Sequence, residues 1–478
     1  MENIEELRKK IKEEPENWEL EVFHFACRLA CKLAEEIMKE MDDALKDKEA
    51  LGMKVVGFKE KWVISLPGDI KLRRRLYRDK QGNYHFLLDE RIGLDKGSRV
   101  SPMMKKLAVQ SSTDYTFREV EGNMKAVFPW AVSHTTVHNL SSKVADSHIE
   151  EEEKEIKALY EDGVIPESEG KTVPYLFMEA DGINISLQRE KERKAEIKGG
   201  IAYEGWEEIG KGRYKLKGKS VYAGVMDGKR FWEGFSLNLA KEYDLARVGK
   251  VIVGGDGASW VKEGAELFGG LYELDRFHLK RALHQGLGSD PLANEIYQAC
   301  VKGEVASVEK LLTRAQQEAG KERVEEVMRL RGYLMDNYYG LRDYRVEING
   351  EGLRGLGAVE SNVDKLFADR MKKRGMSWTK EGANRMARLI SLSHSGKLDT
   401  KQKISIGKPA PTLGSTPHRS EGEDYGAGHG GTWLEASLPA LYGSHADRPW
   451  VQMLRKLTRG HIEGVAHATH PESQPTKS

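Results

Sequence analysis

The chain has 478 residues, 32% of them charged, and its 76 Lys and Arg against 75 Asp and Glu leave a formal net charge of +1. That length allows two to four domains, and the near-neutral total excludes a purely electrostatic nucleic-acid coat while leaving room for local basic patches. Three cysteines (Cys27, Cys31, Cys300) make neither a disulfide framework nor a zinc ribbon, no apolar run nears the roughly 20 residues that span a bilayer, and Met1-Glu-Asn-Ile-Glu-Glu lacks the order of a signal peptide. A cytoplasmic protein without a membrane partner is expected.

Residues 1–50 predict a helical segment. Leu20, Phe23, Cys27, Ala30, Cys31, Ala34, Met38, Met41 and Leu45 recur at helical spacing from Asn17 to about Lys48, as in a core or oligomerisation helix. Over 51–100 the period shortens to two, and strands are expected around the turns Pro67-Gly68-Asp69 and Lys80-Gln-Gly82-Asn83. This small β-rich region carries Lys71-Leu-Arg-Arg-Arg-Leu-Tyr-Arg78. Arg73, Arg74, Arg75 and Arg78 suit phosphate contact, although basic strand faces are often merely solvated.

Residues 101–172 read as a helical region and linker. Phe128-Pro-Trp-Ala-Val132-Ser-His-Thr-Thr-Val137-His-Asn-Leu140 has the pattern of a turn and a recognition helix, a candidate helix-turn-helix. Ser133 would cap the helix and Val137 and Leu140 would face the core. His134, Thr135, His138 and Asn139 would then point towards DNA. The run Glu150-Glu-Glu-Glu-Lys-Glu reads as a solvated helical face, and 161–172 as the linker.

From Val173 the pattern becomes α/β. Val173-Pro-Tyr-Leu-Phe-Met-Glu-Ala-Asp181 predicts a strand delivering Asp181, followed by strands at Lys194–Tyr203 and Tyr214–Met226 and an aromatic-rich helix around Phe231–Tyr243. Lys250-Val-Ile-Val-Gly-Gly-Asp256 predicts a buried strand ending at Asp256, then a helix over Trp260–Phe268 and a strand Leu271–Asp275. The order β-β-β-α-β-α-β is that of an RNase H-like core, here 173–280, with a helical insertion over 281–350 and a final core helix over 351–398. The fold class expected is therefore α/β, preceded by an α+β N-terminal region. The segment 399–478, rich in Gly, His and Pro, predicts a poorly ordered tail with one short helix near Trp450–Leu457.

Carboxylates at strand ends suit divalent metal chemistry, because hard anionic oxygens can hold two Mg²⁺ ions about 3.5–4 Å apart for phosphodiester cleavage or transfer. Asp181, Asp256 and Glu360 would converge at one end of the sheet, as metal ligands and catalytic residues. The competing structural reading makes Asp256 a helix cap or an Asx-turn. Glu351 and Glu381 rival Glu360, which is preferred because it opens an amphipathic helix after the glycine-rich loop Gly352–Gly357. In Leu274-Asp275-Arg-Phe-His278-Leu-Lys-Arg281, Asp275 and His278 share a helix face and would support the site, with His278 contacting a phosphate or orienting a carboxylate; Arg281 adds a DNA contact. A helix N-cap beside a satisfied histidine explains the same pair.

Glu179-Ala-Asp181-Gly, Gly255-Asp256-Gly-Ala-Ser-Trp260, Asp275-x-x-His278 and Glu360 together resemble the DDE transposases of bacterial insertion sequences, and the Asp-x-x-His resembles that of the Mutator-like branch. With Arg73-Arg-Arg-Leu-Tyr-Arg78 and Leu88-Asp-Glu-Arg-Ile-Gly-Leu94, the resemblance over Leu51–His394 is closer still to the ISLre-type transposases, a group long known as an uncharacterised protein family. It implies Mg²⁺-dependent cutting and joining (Mn²⁺ substituting) at terminal inverted repeats. The implied partners are double-stranded inverted-repeat and target DNA and further copies of the chain, with nucleoid association when bound. A domesticated DNA-binding regulator and an RNase H-like nuclease that does not join strands are the alternatives.

Overall fold

In the computed structural model, which describes residues 4–48, 52–128, 130–320, 323–348 and 350–400, the apolar stripe near the N-terminus becomes a 31-residue helix, α2 (Trp18–Lys48), after a short polar helix, α1 (Ile4–Glu13). The residues up to Thr400 form one unit. The expected helix near Trp450–Leu457 and the rest of the tail beyond Thr400 lie outside the described residues. Among the described residues, no helix is long and apolar enough to cross a membrane.

β1 (Lys54–Ile64), β2 (Asp69–Arg78) and β3 (Tyr84–His85) make an antiparallel sheet, followed by α3 (Leu87–Arg91). Alternation buries Ile70, Leu72 and Arg74 of β2, Tyr77 is buried out of that phase, and Cys31, Met38 and Leu45 of α2 pack into the small cores that hold Ile70, Leu72 and Tyr77. Then come α4 (Pro102–Asp114), α5 (Phe117–Val127) and α6 (His134–Tyr160). Ser133 caps α6 by accepting from the Thr136 amide, and Val137 and Leu140 are buried as their spacing predicts.

The central sheet holds β4 (Tyr175–Leu187), β5 (Lys194–Tyr203), β8 (Ser220–Gly224), β9 (Lys250–Gly255) and β10 (Leu271–Leu274), in the order β10-β9-β4-β5-β8. β4, β5 and β8 form an antiparallel meander, while β9 and β10 run parallel to β4. Helices α7 (Gly228–Ala240) and α8 (Ser259–Leu267) connect the later strands on one face. Phe231, Trp232 and Phe235 of α7 pack there with Leu176, Met178 and Ala180, the even-numbered positions of β4. The odd-numbered positions, Phe177, Ile183 and Ile185, meet the C-terminal helices on the other face. Two covered faces explain why β4 and β9 read as continuous apolar runs.

Three expectations need correction. The stretch Tyr214–Met226 is not one strand: β6 (Gly205–Gly210) and β7 (Arg213–Lys217) pair only with each other, and β8 starts afresh at Ser220. The acidic run of α6 is not simply solvated, because one side of it docks on the core. There Glu152 ion-pairs with Arg388 and accepts from the Tyr222 hydroxyl, and Glu155 pairs with Lys241. The basic strand face is smaller than its sequence suggests. Arg74 is buried against Asp89 and Arg75 is held by Asp42 and Asp43, which leaves Arg73 and Arg78 exposed.

The helical block is α9 (Arg276–Leu287), α10 (Pro291–Lys302), α11 (Val305–Glu318) and α12 (Val324–Asp336), with its own core of Leu279, Leu283, Ile296, Leu312 and Leu330. After α13 (Tyr344–Glu347) the chain returns to the sheet through α14 (Ala358–Val363), a π-helical turn at Asp364–Ala368, α15 (Asp369–Met371), β11 (Ser377–Trp378) and α16 (Lys380–His394). β11 pairs with β4 beyond the end of β9, at Ser186 and Leu187.

Candidate active site

Strand register brings the aspartates together. Ala180 of β4 pairs with Gly255 of β9, and Gly255 pairs with Leu274 of β10. The next residue on each strand is Asp181, Asp256 and Asp275, so three adjacent parallel strands each present an aspartate at the same level. β9 and β10 end there, the position at which open α/β sheets bind ligands.

The three have different surroundings. Asp256 makes the Asx-turn that a structural reading predicts, accepting from the Ala258 amide at 2.9 Å, but it is half-buried and lines a cleft as well. Gly257 follows at φ +99°, and a Cβ there would lie 2.6 Å from Asn337, so the turn excludes a side chain twice over. The Tyr333 hydroxyl of α12 donates to the Asp256 carbonyl at 2.8 Å and ties the helical block to this turn.

Asp181 accepts from the Gly182 amide at 2.7 Å. Burial pushes its carboxyl up to about 6, and the negative charges of Asp256 and Glu360 add to the rise, against the opposing Gly182 amide and His278. Of the three candidate glutamates, Glu360 is the one whose charge contributes to the shift at Asp181. Glu360 is exposed in the first turn of α14, on the sheet face that Asp181 shares. Glu381 lies in the first turn of α16, bonded to Arg385, and Glu351 is exposed in the loop before α14.

Asp275 is buried and caps α9, accepting from the Phe277 and His278 amides at 2.9 and 3.1 Å and facing His278 Nδ1 at 3.2 Å. Burial alone would raise its pKa, but the His278 ring and the two amides outweigh it, and the net shift is downward. The hydrogen bond to Asp275 raises His278 against the opposing effect of burial, and the charges of Asp275, Asp181 and Asp256 raise it further. The protonated form of the ring is thereby favoured beside the three carboxylates. Asp275 is thus the helix cap of the structural reading, and its histidine lines the cleft.

That cleft, of about 550 Å³, lies between α9 and α12 and is lined by Asp256, His278, Arg281, Arg329 and Tyr333. A larger groove, about 720 Å³, runs between α6 and α7 away from the carboxylates, along the Arg230–Glu153 and Arg230–Glu233 ion pairs. At the start of α6, His134, Thr135, His138 and Asn139 are exposed as expected. Glu121 of α5 already holds His134, through its amide at 2.8 Å and its ring at 2.7 Å.

The hard, anionic oxygens of Asp181, Asp256 and Glu360 suit a divalent cation such as Mg²⁺. Among the described residues, however, no three His, Cys, Asp or Glu side chains are grouped closely enough to hold a metal ion. The aspartates share a level on neighbouring strands, whereas Glu360 acts on Asp181 by its charge from a separate helix.

The sequence pattern includes Glu179 only as a neighbour of Asp181 and gives it no role. Glu179 lies two residues before Asp181 on the same side of β4, is 1% exposed, and accepts from the Tyr203 hydroxyl and from amides at the start of α14. A glutamate inside Leu176-Phe-Met-Glu-Ala, a run otherwise apolar enough to be buried on both sides, was the available signal.

These features define an α/β protein with aspartates at the strand ends of its sheet and a cleft beside them that Asp256 and His278 line. The chain belongs to the uncharacterised protein family UPF0236, whose model matches residues 3–406. A UPF0236 protein of Caldanaerobacter subterraneus subsp. tengcongensis is 26% identical over 413 residues, covering 82% of this chain and 79% of the relative. Another from that organism, at the same identity and covering 82% and 78%, bears a name joining eleven locus designations. A UPF0236 protein from a vanSb 3′ region of Streptococcus gallolyticus is 27% identical, covering 74% and 77%. Among solved structures, the Drosophila P element transposase strand transfer complex aligns with 65% of this chain and 83% of its own at 10% identity, with a TM-score of 0.24, too low to define a shared fold.

Proposed function

We propose that the chain is a DDE transposase of the ISLre type, with an RNase H-like core that cleaves and joins DNA at the terminal inverted repeats of its element. The observation that carries this reading is the register of β4 and β9, in which Asp181 and Asp256 follow paired residues, with the charge of Glu360 felt at Asp181. A three-stranded meander continued by two parallel strands is the topology expected of that core. A relative named from many loci of one genome is what repeated transposition would leave behind.

Asp181, Asp256 and Glu360 would hold Mg²⁺, which when bound supplies Lewis-acid activation of the attacking and leaving oxygens. The chain's own groups then have definite tasks. Arg281 and Arg329 give the cleft positive charge for the phosphate backbone, and His278, whose protonated form Asp275 favours, can hold a phosphate oxygen or a proton beside the aspartates. Asp275 orients that imidazole from the cap of α9.

Asp256→Asn tests the assignment. It keeps the size and the Asx-turn acceptor but removes the charge, so Mg²⁺-dependent cleavage of end-bearing DNA should vanish while DNA binding persists. Retained cleavage would sink the proposal, and cleaved but never joined ends in the wild type would make the protein a nuclease.

A further inference from the structure

We propose that Glu179 is a positioning residue that docks the start of α14 and thereby sets where Glu360 stands relative to Asp181 and Asp256. The inference rests on the site described above and adds to it a residue that touches neither metal nor DNA.

A carboxylate removed from water needs partners for its lone pairs and usually a cation. Glu179 is 1% exposed, and among the described residues no Lys, Arg or His forms an ion pair with it. One oxygen instead accepts from the Tyr203 hydroxyl of β5 at 2.5 Å, and the other from the Gly357 and Val359 amides at 2.8 and 3.2 Å. Those amides open α14, where helical N–H groups lack intrahelical acceptors and favour negative charge. Glu179 thus serves as an N-terminal cap supplied by another strand. Glu360 is the residue after Val359.

The surrounding backbone is shaped for the same docking. A Cβ on Gly254 would lie 2.8 Å from Leu356 and 3.4 Å from the Glu179 side chain, so the loop before α14 rests directly on β9. Gly357 adopts φ +121°, and a Cβ there would come 3.2 Å from the Asp275 carboxylate. The segment Leu356–Val359 is therefore seated among Gly254, Asp275 and Glu179, residues of three adjacent strands or their ends. α14 itself has six residues and gives way to a π-helical turn, so its own length fixes little. Its anchored start is what places Glu360.

The test is Mn²⁺ binding to the full chain, followed by electron paramagnetic resonance, for the wild type, Glu179→Gln, Glu360→Gln and the double variant. Glutamine fills the same volume but keeps one acceptor oxygen, where Glu179 uses two to accept from a phenol and two amides. Partners that orient metal ligands typically cost about tenfold or more in metal affinity when lost, and Glu179→Gln should weaken Mn²⁺ binding by that order with its thermal unfolding still cooperative. In the Glu360→Gln background the further loss should disappear, because Glu179 acts through Glu360. If Glu179→Gln fails to fold, Tyr203→Phe removes one hydrogen bond from the same carboxylate and should weaken binding in the same direction by less. Unchanged Mn²⁺ affinity in these variants, or equal losses with and without Glu360, would overturn the docking role. A wild-type chain that binds no Mn²⁺, or an Asp256→Asn variant that binds it equally well, would overturn the site reading itself.

Discussion

His394, the last residue of α16, shows how a single burial writes itself into the protein's pH dependence. Burial lowers its pKa to about 4, with a smaller contribution from the positive charge of Lys219, and Asp114 at 3.9 Å is too far to offset this with a hydrogen bond. The folded state therefore holds the neutral imidazole, whereas the unfolded chain takes up a proton near the ordinary 6.5. Its contribution to stability is present above that value and is lost as pH falls through the window from 6.5 to 4, amounting to as much as about 2 kcal/mol at pH 5. Relative to wild type, His394→Gln should lose less of its melting temperature between pH 7 and pH 5; parallel losses in the two proteins would show that the ring protonates freely in the fold. Other residues were legible from chemistry alone. Asp181 and Asp256 follow apolar strands and precede glycines, and that pattern points to a strand end. Arg74 and Arg75 were not, because a run of arginines gives no hint of the aspartates on α2 and α3 that neutralise them.

At the scale of elements, α7 and α8 make the packing on one side of the sheet depend on a missing side chain. A Cβ on Gly264 of α8 would lie 2.2–2.5 Å from the Trp232 ring. Trp232 is 2% exposed and donates its indole N–H to the Trp260 carbonyl at 2.5 Å, so it cannot swing aside cheaply. Helix propensity would favour alanine by about 1 kcal/mol, but overpacking a filled core costs about 1–3 kcal/mol and wins here. Gly264→Ala should lower the urea midpoint by that balance, and a midpoint at or above wild type would show that the two helices can part. The same elements show where sequence reading stops. α2 and α12 were legible because each carries one regular apolar stripe, and β5 and β9 because burial on both faces leaves a run of small and apolar residues. α1 carries the helical spacing Ile4, Leu7 and Ile11 although it buries no residue, whereas the short β7, only two residues before β8, merges with it in the sequence pattern. The contact between Glu179 and α14 joins residues 178 apart or more, and no local spacing encodes it.

For the molecule as a whole, the balance of 76 basic against 75 acidic residues means that DNA affinity must come from where charges stand rather than from their sum. Among the arginines of the N-terminal sheet the unconsumed charge is that of Arg73 and Arg78, set beside exposed aromatics: the Arg73 guanidinium lies 4.5 Å from the centre of the Phe58 ring and Arg78 5.8 Å from that of Tyr84. A solvated pair of this kind keeps its charge for a phosphate, whereas Arg74 and Arg75 would first have to give up buried carboxylates. Each phosphate neutralised in duplex DNA contributes about 0.9 to the slope of log K against log salt. Replacing Arg73 and Arg78 together by alanine should therefore weaken DNA binding and flatten that slope by up to about 1.8, if each arginine meets one phosphate. Asp256→Asn removes no cation and should leave the slope undiminished. Fluorescence anisotropy over a salt series measures both variants against wild type. An unchanged slope in the double alanine variant would move the duplex off this sheet and leave the exposed first turn of α6, with Thr135, His138 and Asn139, as the surface to replace next.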